Sequence, residues 1–382
     1  MSAAPRIAGV GLTPFGRLEP ADTLELMARA AGDALTDAGL DRADVDGLLT
    51  GYSTTRPHLM LSTLFAEYFG LQPDYAHGMQ VGGATGLAMV DLARHLVTAG
   101  AAKRVLVVAG ENRLSGQSRD QTIQTLAQVG EADHEVPNGA AVPAYYALLA
   151  SRYLAETGRS EADLAELSVL MRRHAANYPG AHLTRAMTVD DVMASRPIAT
   201  PLKQLDCCPI SDGAAAVVVT RADAAPSSAP ALTGGGQAHT HQHVSMAPDP
   251  INIGATRAAK RALAEAGRRI EDMELLAVYD SFTVTLAELL EGIGVSERGQ
   301  ATLDARAGRF DLDGSLPLNP HGGLMSYGHS GVAGGMSHLV ETVRQLGGRS
   351  PAPAKQGPGI GLVHADGGVL SSHVSLVLEA GS

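Results

Sequence analysis

Residues 75–100 read YAHGMQVGGATGLAMVDLARHLVTAG, which predicts a buried strand, a glycine turn and a long helix. Such an elbow aims backbone N–H groups and the positive end of a helix dipole at whatever lies over Gly83, a setting that suits a nucleophile or an anion. The tip carries glycine and no nucleophile. Cys207 and Cys208 stand side by side in DCCPISDGAAAVVVT, ahead of an apolar run, and read as inert structural thiols rather than a displaced nucleophile. His239, His241 and His243 alternate in HTHQH and would share one face of a strand. Without an added carboxylate or a closed ligand set they make no metal site. GVGLTPFG and LTGGGQ are rich in glycine but lack GxGxxG in a full strand–helix–strand setting, so no dinucleotide site follows.

The elements that must hold these residues alternate. RIAGVGL, DGLLTGY, RVLVVAGE, AAAVVVT, LLAVYD, IGLVHA and VLSSHVSLVLE have strand length, and amphipathic runs such as TLELMARAAGDALTDAG lie between them. Continuous apolar runs like VLVVAG predict central strands covered on both faces, hence an α/β layered body. An internal repeat sharpens this: RAAGDALTDAGLDRADVDGL (29–48) matches RAAKRALAEAGRRIEDMELL (257–276), placing Ala34 on Ala262, Gly39 on Gly267 and Asp44 on Asp272. A weaker pair, GGATGLAMVDLARHLVTAG and SGVAGGMSHLVETVRQLGG, follows in the same order. Two copies of one unit imply a pseudo-twofold chain. The halves are expected at 1–225 and 226–382, the first carrying an inserted lid region over about 112–212, with 220–236 as the linker.

Composition narrows the function classes. Hydrophobic residues make up 45% and charged residues 18% of 382, an ordinary globular balance large enough for a substantial core. A net charge of −11 with no basic block argues against nucleic acid or an anionic membrane as partner, while a small anionic ligand needs only local positive potential. Two adjacent cysteines form no disulfide framework, no run of about 18 apolar residues is present, and the N-terminus shows no secretory pattern, which together predict a cytosolic protein.

The duplicated body, the elbow at Gly83, DCCPISDGAAAVVVT, VYDSFT (278–283), NPHGGLMSYGHSG (319–331) and the terminal VHADGGVLSSHVSLVL together resemble the thiolase superfamily over essentially the whole chain. The nearest branch is that of the sterol-carrier-type thiolases and thiolase-like aldolases. The resemblance implies two βαβαβ halves in a five-layer α-β-α-β-α arrangement, and a coenzyme A thioester as substrate with no permanently bound cofactor. It places the nucleophilic cysteine at Gly83, the Gly-His motif at His329, the third motif at Tyr279 and Asp280, and the C-terminal cysteine at His364. Tyr327 and His321 fall beside the same pocket, with Asn319, His321 and Gly323 in a substrate-binding turn.

Both cysteine positions are therefore vacant, and acyl-enzyme chemistry lacks its leaving thiolate. Retro-aldol cleavage of a β-hydroxyacyl-CoA, as in steroid or related side-chain degradation, needs only a base and a hydrogen-bonding site for the enolate oxygen. Tyr279, Tyr327 and His329 fit the base and enolate roles, with N–H groups near Gly83 completing the hole. Two alternatives stand: an acetyl-CoA acetyltransferase-type enzyme, favoured by the thiolase-like GHSG, and a non-catalytic CoA-binding subunit, favoured by the loss of both cysteines. The resemblance also implies a homodimer and a small OB-fold partner of the DUF35 type.

Overall fold

The computed structural model describes residues 4–139, 141–247, 254–354 and 357–381. The first half runs β1 (Arg6–Leu12), α1 (Thr23–Ala38), β2 (Gly47–Gly51), α2 (Leu61–Phe69), β3 (Tyr75–Met79), α3 (Thr85–Thr98) and β4 (Arg104–Asn112). An insertion follows, with α4 (Arg119–Ala127), α5 (Val142–Thr157), α6 (Glu161–Ala175), α7 (Val189–Ala194) and a small hairpin, β5 (Pro197–Ala199) and β6 (Leu202–Lys203). The half closes with β7 (Asp212–Thr220). The second half comprises β8 (Ala231–His239), α8 (Ala255–Ala266), β9 (Leu275–Val278), α9 (Thr283–Gly292), α10 (Ala301–Arg306), α11 (Gly323–Ser326), α12 (Val332–Leu346), β10 (Ile360–Gly367) and β11 (Ser372–Glu379).

The strands line up as β3-β2-β4-β7-β1-β8-β11-β10-β9. β1 pairs with β7 along its length but is in register with β8 only at Arg6 opposite Ala231, so each half owns its sheet and the two meet at one corner. Helices α1 and α2 cover the outer face of the first sheet, α8 covers the outer face of the second, and α3 with α12 lies between. This is the α-β-α-β-α layering expected.

The sequence repeat is visible in atoms. Helix α1 begins at Asp22, whose side chain accepts the N–H of Glu25, and stops at Gly39 in the left-handed region (φ 65°). Its counterpart α8 stops at Gly267 (φ 64°). In both halves a glycine-bearing strand presses onto that helix: a Cβ on Gly9 or Gly11 would overlap the carbonyls of Ala34 or Ala30, and one on Gly234 or Gly236 those of Ala262 or Ala258. The same alanine rows receive the same bare backbone.

That packing corrects the reading of 220–236 as linker. Ala231–Gly236 is strand, because GGG suits a strand pressed onto α8 at Gly234 and Gly236 and onto Asp91 and Arg94 of α3 at Gly235, and only the stretch between β7 and β8 connects the halves. A second difference is at β3, expected to be buried. It is the last strand of its sheet, pairs only with β2, and is half-exposed. Third, β8 ends at His239, so His241 and His243 lie beyond it and HTHQH forms no strand face. The His239 ring meets Ser372, and the His241 ring meets Thr240 and the Val369 carbonyl. No group of three metal-ligating side chains is assembled among the described residues. No described helix is long and apolar enough to cross a membrane.

Candidate active site

A cavity of about 640 Å³ opens between the insertion and the two sheets. Its floor comes from residues at or just past the C-terminal ends of strands: Tyr52 after β2, Gly83 after β3, Arg113 after β4, Tyr279 after β9 and Asp366 near the end of β10. His329 enters from the loop before α12. Strands β2, β3 and β4 are mutually parallel, as are β9 and β10, and the crevice beyond the carboxyl ends of parallel strands is where α/β sheets hold ligands.

Tyr279 and His329 meet at 2.8 Å, Oη to Nε2. On the other side of the ring, Arg113 Nη1 lies 3.4 Å from His329 Nδ1. A guanidinium only donates, so Nδ1 accepts, the ring proton sits on Nε2, and Nε2–H donates to the Tyr279 oxygen. The phenol O–H is then free for a ligand. Burial, aided by Arg113, pushes His329 down to about 3, so the imidazole is neutral. Burial, with Cys208 and Asp366 nearby, raises Tyr279 well above the usual phenol, which makes it a phenol and a donor at neutral pH.

Gly83 explains itself against this pair. A Cβ there would overlap the Tyr279 hydroxyl and would lie 2.6 Å from Tyr279 Cζ and 2.5 Å from the Asp366 carbonyl oxygen. The tyrosine hydroxyl fills the space over the elbow that a cysteine side chain would need.

The remaining residues expected from sequence lie outside the cavity lining and hold the site together. Asp280 is fully buried, and its carboxylate accepts the N–H groups of Leu324 (2.7 Å) and Met325 (3.2 Å) and faces His338 Nε2 at 3.2 Å. It thereby ties the segment after Tyr279 to the loop that carries His329. Asn319 bridges Val278 in both directions, Oδ1 accepting its N–H and Nδ2 donating to its carbonyl, each at 2.8 Å. Gly323 (φ 61°) passes against Asp280 with no room for a Cβ. His321 bonds Ser337 at 3.1 Å. Tyr327 donates to the Thr13 carbonyl at 3.0 Å and packs on Phe15.

His364 is fully buried among polar neighbours of its own sheet: Nδ1 meets Ser375 Oγ at 2.7 Å and Nε2 meets His373 Nδ1 at 3.3 Å. Its carbonyl accepts the N–H of Tyr279, so its contribution to the site is through backbone. The lining residue of that motif is Asp366, two positions on.

Burial drops His373 to about 4, so this imidazole stays neutral in the native protein well below the ordinary histidine value of 6.5. Between those values the unfolded chain binds a proton that the native chain does not. Stability from this residue is complete above pH 6.5 and is lost as pH falls towards 4, by at most about 1.4 kcal/mol per pH unit. Comparing wild type with His373→Gln by urea unfolding at pH 7, 6 and 5 isolates it, since the buried carboxylates, which shift the opposite way, cancel. The expected result is a shallower acid loss in the variant; parallel curves would contradict it.

Several site residues were not foreseen. Asp366 Oδ2 accepts from Tyr146 Oη (3.1 Å), Oδ1 has no partner, and burial raises the carboxyl well above the usual carboxylate range. Glu111 accepts from the Thr54 backbone N–H at 2.8 Å and from its hydroxyl. The insertion supplies apolar wall, including Leu126, Val129, Val142 and Leu205. Cys207 and Cys208 also line the cavity, but burial pushes Cys207 up to about 12 and Cys208 higher, so neither is a thiolate at neutral pH. The signal for Tyr52, Arg113 and Asp366 was the strand ends themselves.

Comparison with known proteins agrees with this architecture. Residues 6–223 match the family model for the thiolase N-terminal domain, and 236–380 the thiolase C-terminal domain-like model. The chain is 33% identical to the 17-hydroxy-3-oxo-4-pregnene-20-carboxyl-CoA lyase of Mycobacterium tuberculosis, covering 92% of this chain and 94% of that one. It is 31% identical to an acetyl-CoA acetyltransferase of Methanothermobacter thermautotrophicus, over 95% and 96%. A solved structure described as the Ltp2-ChsH2(DUF35) aldolase superposes with a TM-score of 0.86 at 30% identity, over 99% of this chain and 98% of that chain. Sequence models, relatives and architecture agree: the chain belongs to the thiolase family.

Proposed function

We propose that this protein cleaves a carbon–carbon bond in a β-hydroxyacyl-CoA by a retro-aldol reaction, without an acyl-enzyme. One observation carries the reading: the Tyr279 hydroxyl, braced by His329, occupies the place over the elbow that a nucleophilic side chain would fill. The high thiol pKa values of Cys207 and Cys208 count against the transferase alternative, and the lyase and aldolase among the similar proteins support the reading.

In the proposed reaction the β-hydroxyl gives up its proton, the Cα–Cβ bond breaks, and its electron pair forms the thioester enolate while Cβ leaves as an aldehyde or ketone. Tyr279 O–H donates to the enolate oxygen, and the Arg113–His329 chain behind it supports the charge the phenol receives. Asp366, whose buried carboxyl holds protons more tightly than usual, takes the hydroxyl proton and returns it to Cα, so no proton is gained or lost overall. Asp366→Asn is expected to lower kcat about 10²-fold with little change in KM, measured by trapping the released carbonyl compound with a hydrazine. An unchanged kcat would remove Asp366 from the reaction.

Two assemblies follow as part of the reading. The half-exposed edge strand β3, with Leu59, Met60 and Tyr68 exposed in the same stretch of chain, supports a homodimer, which light scattering reads directly; a monomeric mass would remove it. Ile198 and Ile210 are exposed yet line the cavity, which supports a small OB-fold partner of the DUF35 kind completing the channel. Titration with such a protein should raise kcat/KM; no response would remove the partner.

A further inference from the structure

Arg172, on α6 of the insertion, lines the same cavity with only 7% of its surface exposed. Its guanidinium has two partners, both neutral: Nε donates to Ser326 Oγ at 3.0 Å, and Nη1 donates to the Arg185 carbonyl at 3.1 Å. It forms no ion pair among the described residues; of the two other arginines as deeply buried, Arg94 is clasped by Asp91 and Glu265, and Arg113 lies against the neutral ring of His329. No carboxylate among the described residues reaches it: Asp212 accepts the N–H groups of Leu18, Leu114 and Ser115, and Glu111, on the same cavity wall, gives Oε2 to the Thr54 donors and forms no ion pair with Arg172. Burying a cation without a counter-charge costs several kcal/mol, and an aliphatic side chain would suit this apolar wall better. The charge is compensated when an anion enters the cavity.

The position says which part of a substrate carries that anion. Ser326 ends α11, three residues before His329. The N–H of Leu183 bonds the Ser326 carbonyl (2.9 Å), His182 bonds the Tyr327 carbonyl (3.0 Å), and the His182 ring meets Ser211, whose N–H bonds the His329 carbonyl. Arg172 is therefore tied, through Ser326, to the segment that carries His329 into the cavity both residues line. The phosphates of coenzyme A lie a full pantetheine arm from the thioester, and they do not reach this place while the thioester is at Tyr279. We infer that the acyl part of the substrate carries a carboxylate, and that Arg172 binds it as a bidentate, charge-assisted pair. The inference rests on the reading of the cavity as an acyl-CoA site.

Its test uses saturated acyl-CoAs, which have no β-hydroxyl and cannot be cleaved, so the result is independent of the retro-aldol chemistry. Calorimetry compares a dicarboxylic ladder, malonyl- to adipyl-CoA, with methyl-terminated thioesters of matched length, and with free CoA. At the chain length that reaches Arg172, the carboxylate member should bind roughly 10- to 100-fold tighter than its methyl counterpart. Arg172→Met should abolish the difference and leave free CoA binding unchanged, and Arg172→Lys should retain part of it. Thermal melting checks that Arg172→Met folds, with Arg172→Gln as the replacement if it does not. A ladder with no step overturns the proposal. So does an Arg172→Met protein that loses free CoA and every thioester equally, which would place a CoA phosphate on Arg172.

Discussion

Replacing Gly83 by cysteine, the change that nominally restores a thiolase nucleophile, should abolish activity and create no thiolase. The added Cβ overlaps the Tyr279 hydroxyl and crowds the Asp366 carbonyl, so the tyrosine must leave His329 or the elbow must shift. We expect kcat to fall at least about 10³-fold and stability to fall by about 1–3 kcal/mol from overpacking. The conflict is local, and it predicts coupling. Combining Tyr279→Ala with Gly83→Cys should cost less stability than the sum of the two single changes, by about 1–3 kcal/mol of favourable coupling in a double-mutant cycle of denaturant midpoints. Additive effects would show that the two positions do not compete for the same space.

Removal of one oxygen atom should cost nearly as much. Tyr279→Phe keeps the ring against α12 and the backbone bond to the His364 carbonyl but deletes the hydroxyl proposed to donate to the enolate oxygen. Loss of a single oxyanion donor lowers kcat by about 10²- to 10³-fold, with KM for the thioester nearly unchanged because the ring still fills its place. A variant whose loss lay wholly in KM would make Tyr279 a binding residue and leave the enolate without its proposed donor.

The legible part of this protein was its framework. The repeat at 29–48 and 257–276 announced two halves because each must stop a helix with a left-handed glycine before the next strand, and glycine is the residue that does so without strain. Tyr279, His329 and Gly83 could be brought to one place because they sit in short family motifs. Asp366 was missed in favour of His364 because motif counting fixes a position along a strand, whereas the end of the strand decides what reaches the crevice. Arg113 and Arg172 were missed for another reason. A single arginine in a helix or past a strand is common, and what sets Arg113 and Arg172 apart is burial in the cavity wall without a carboxylate, which the sequence does not display. The glycine run at Gly234–Gly236 read as a linker because its function, closeness to α8 on one face and to α3 on the other, is a property of several segments and not of one.

The most direct measurement is the dependence of cleavage on free coenzyme A. The purified chain, alone and with a small OB-fold protein of the DUF35 kind, is given matched β-hydroxyacyl- and β-ketoacyl-CoAs with and without added CoA, and products are followed by mass spectrometry. The account predicts that the hydroxy series yields an aldehyde or ketone and a shortened acyl-CoA at a rate indifferent to added CoA, and that the keto series is inert. Cleavage of the keto series that requires CoA would contradict it, and would make this chain a thiolase acting through a group other than the one Gly83 leaves out.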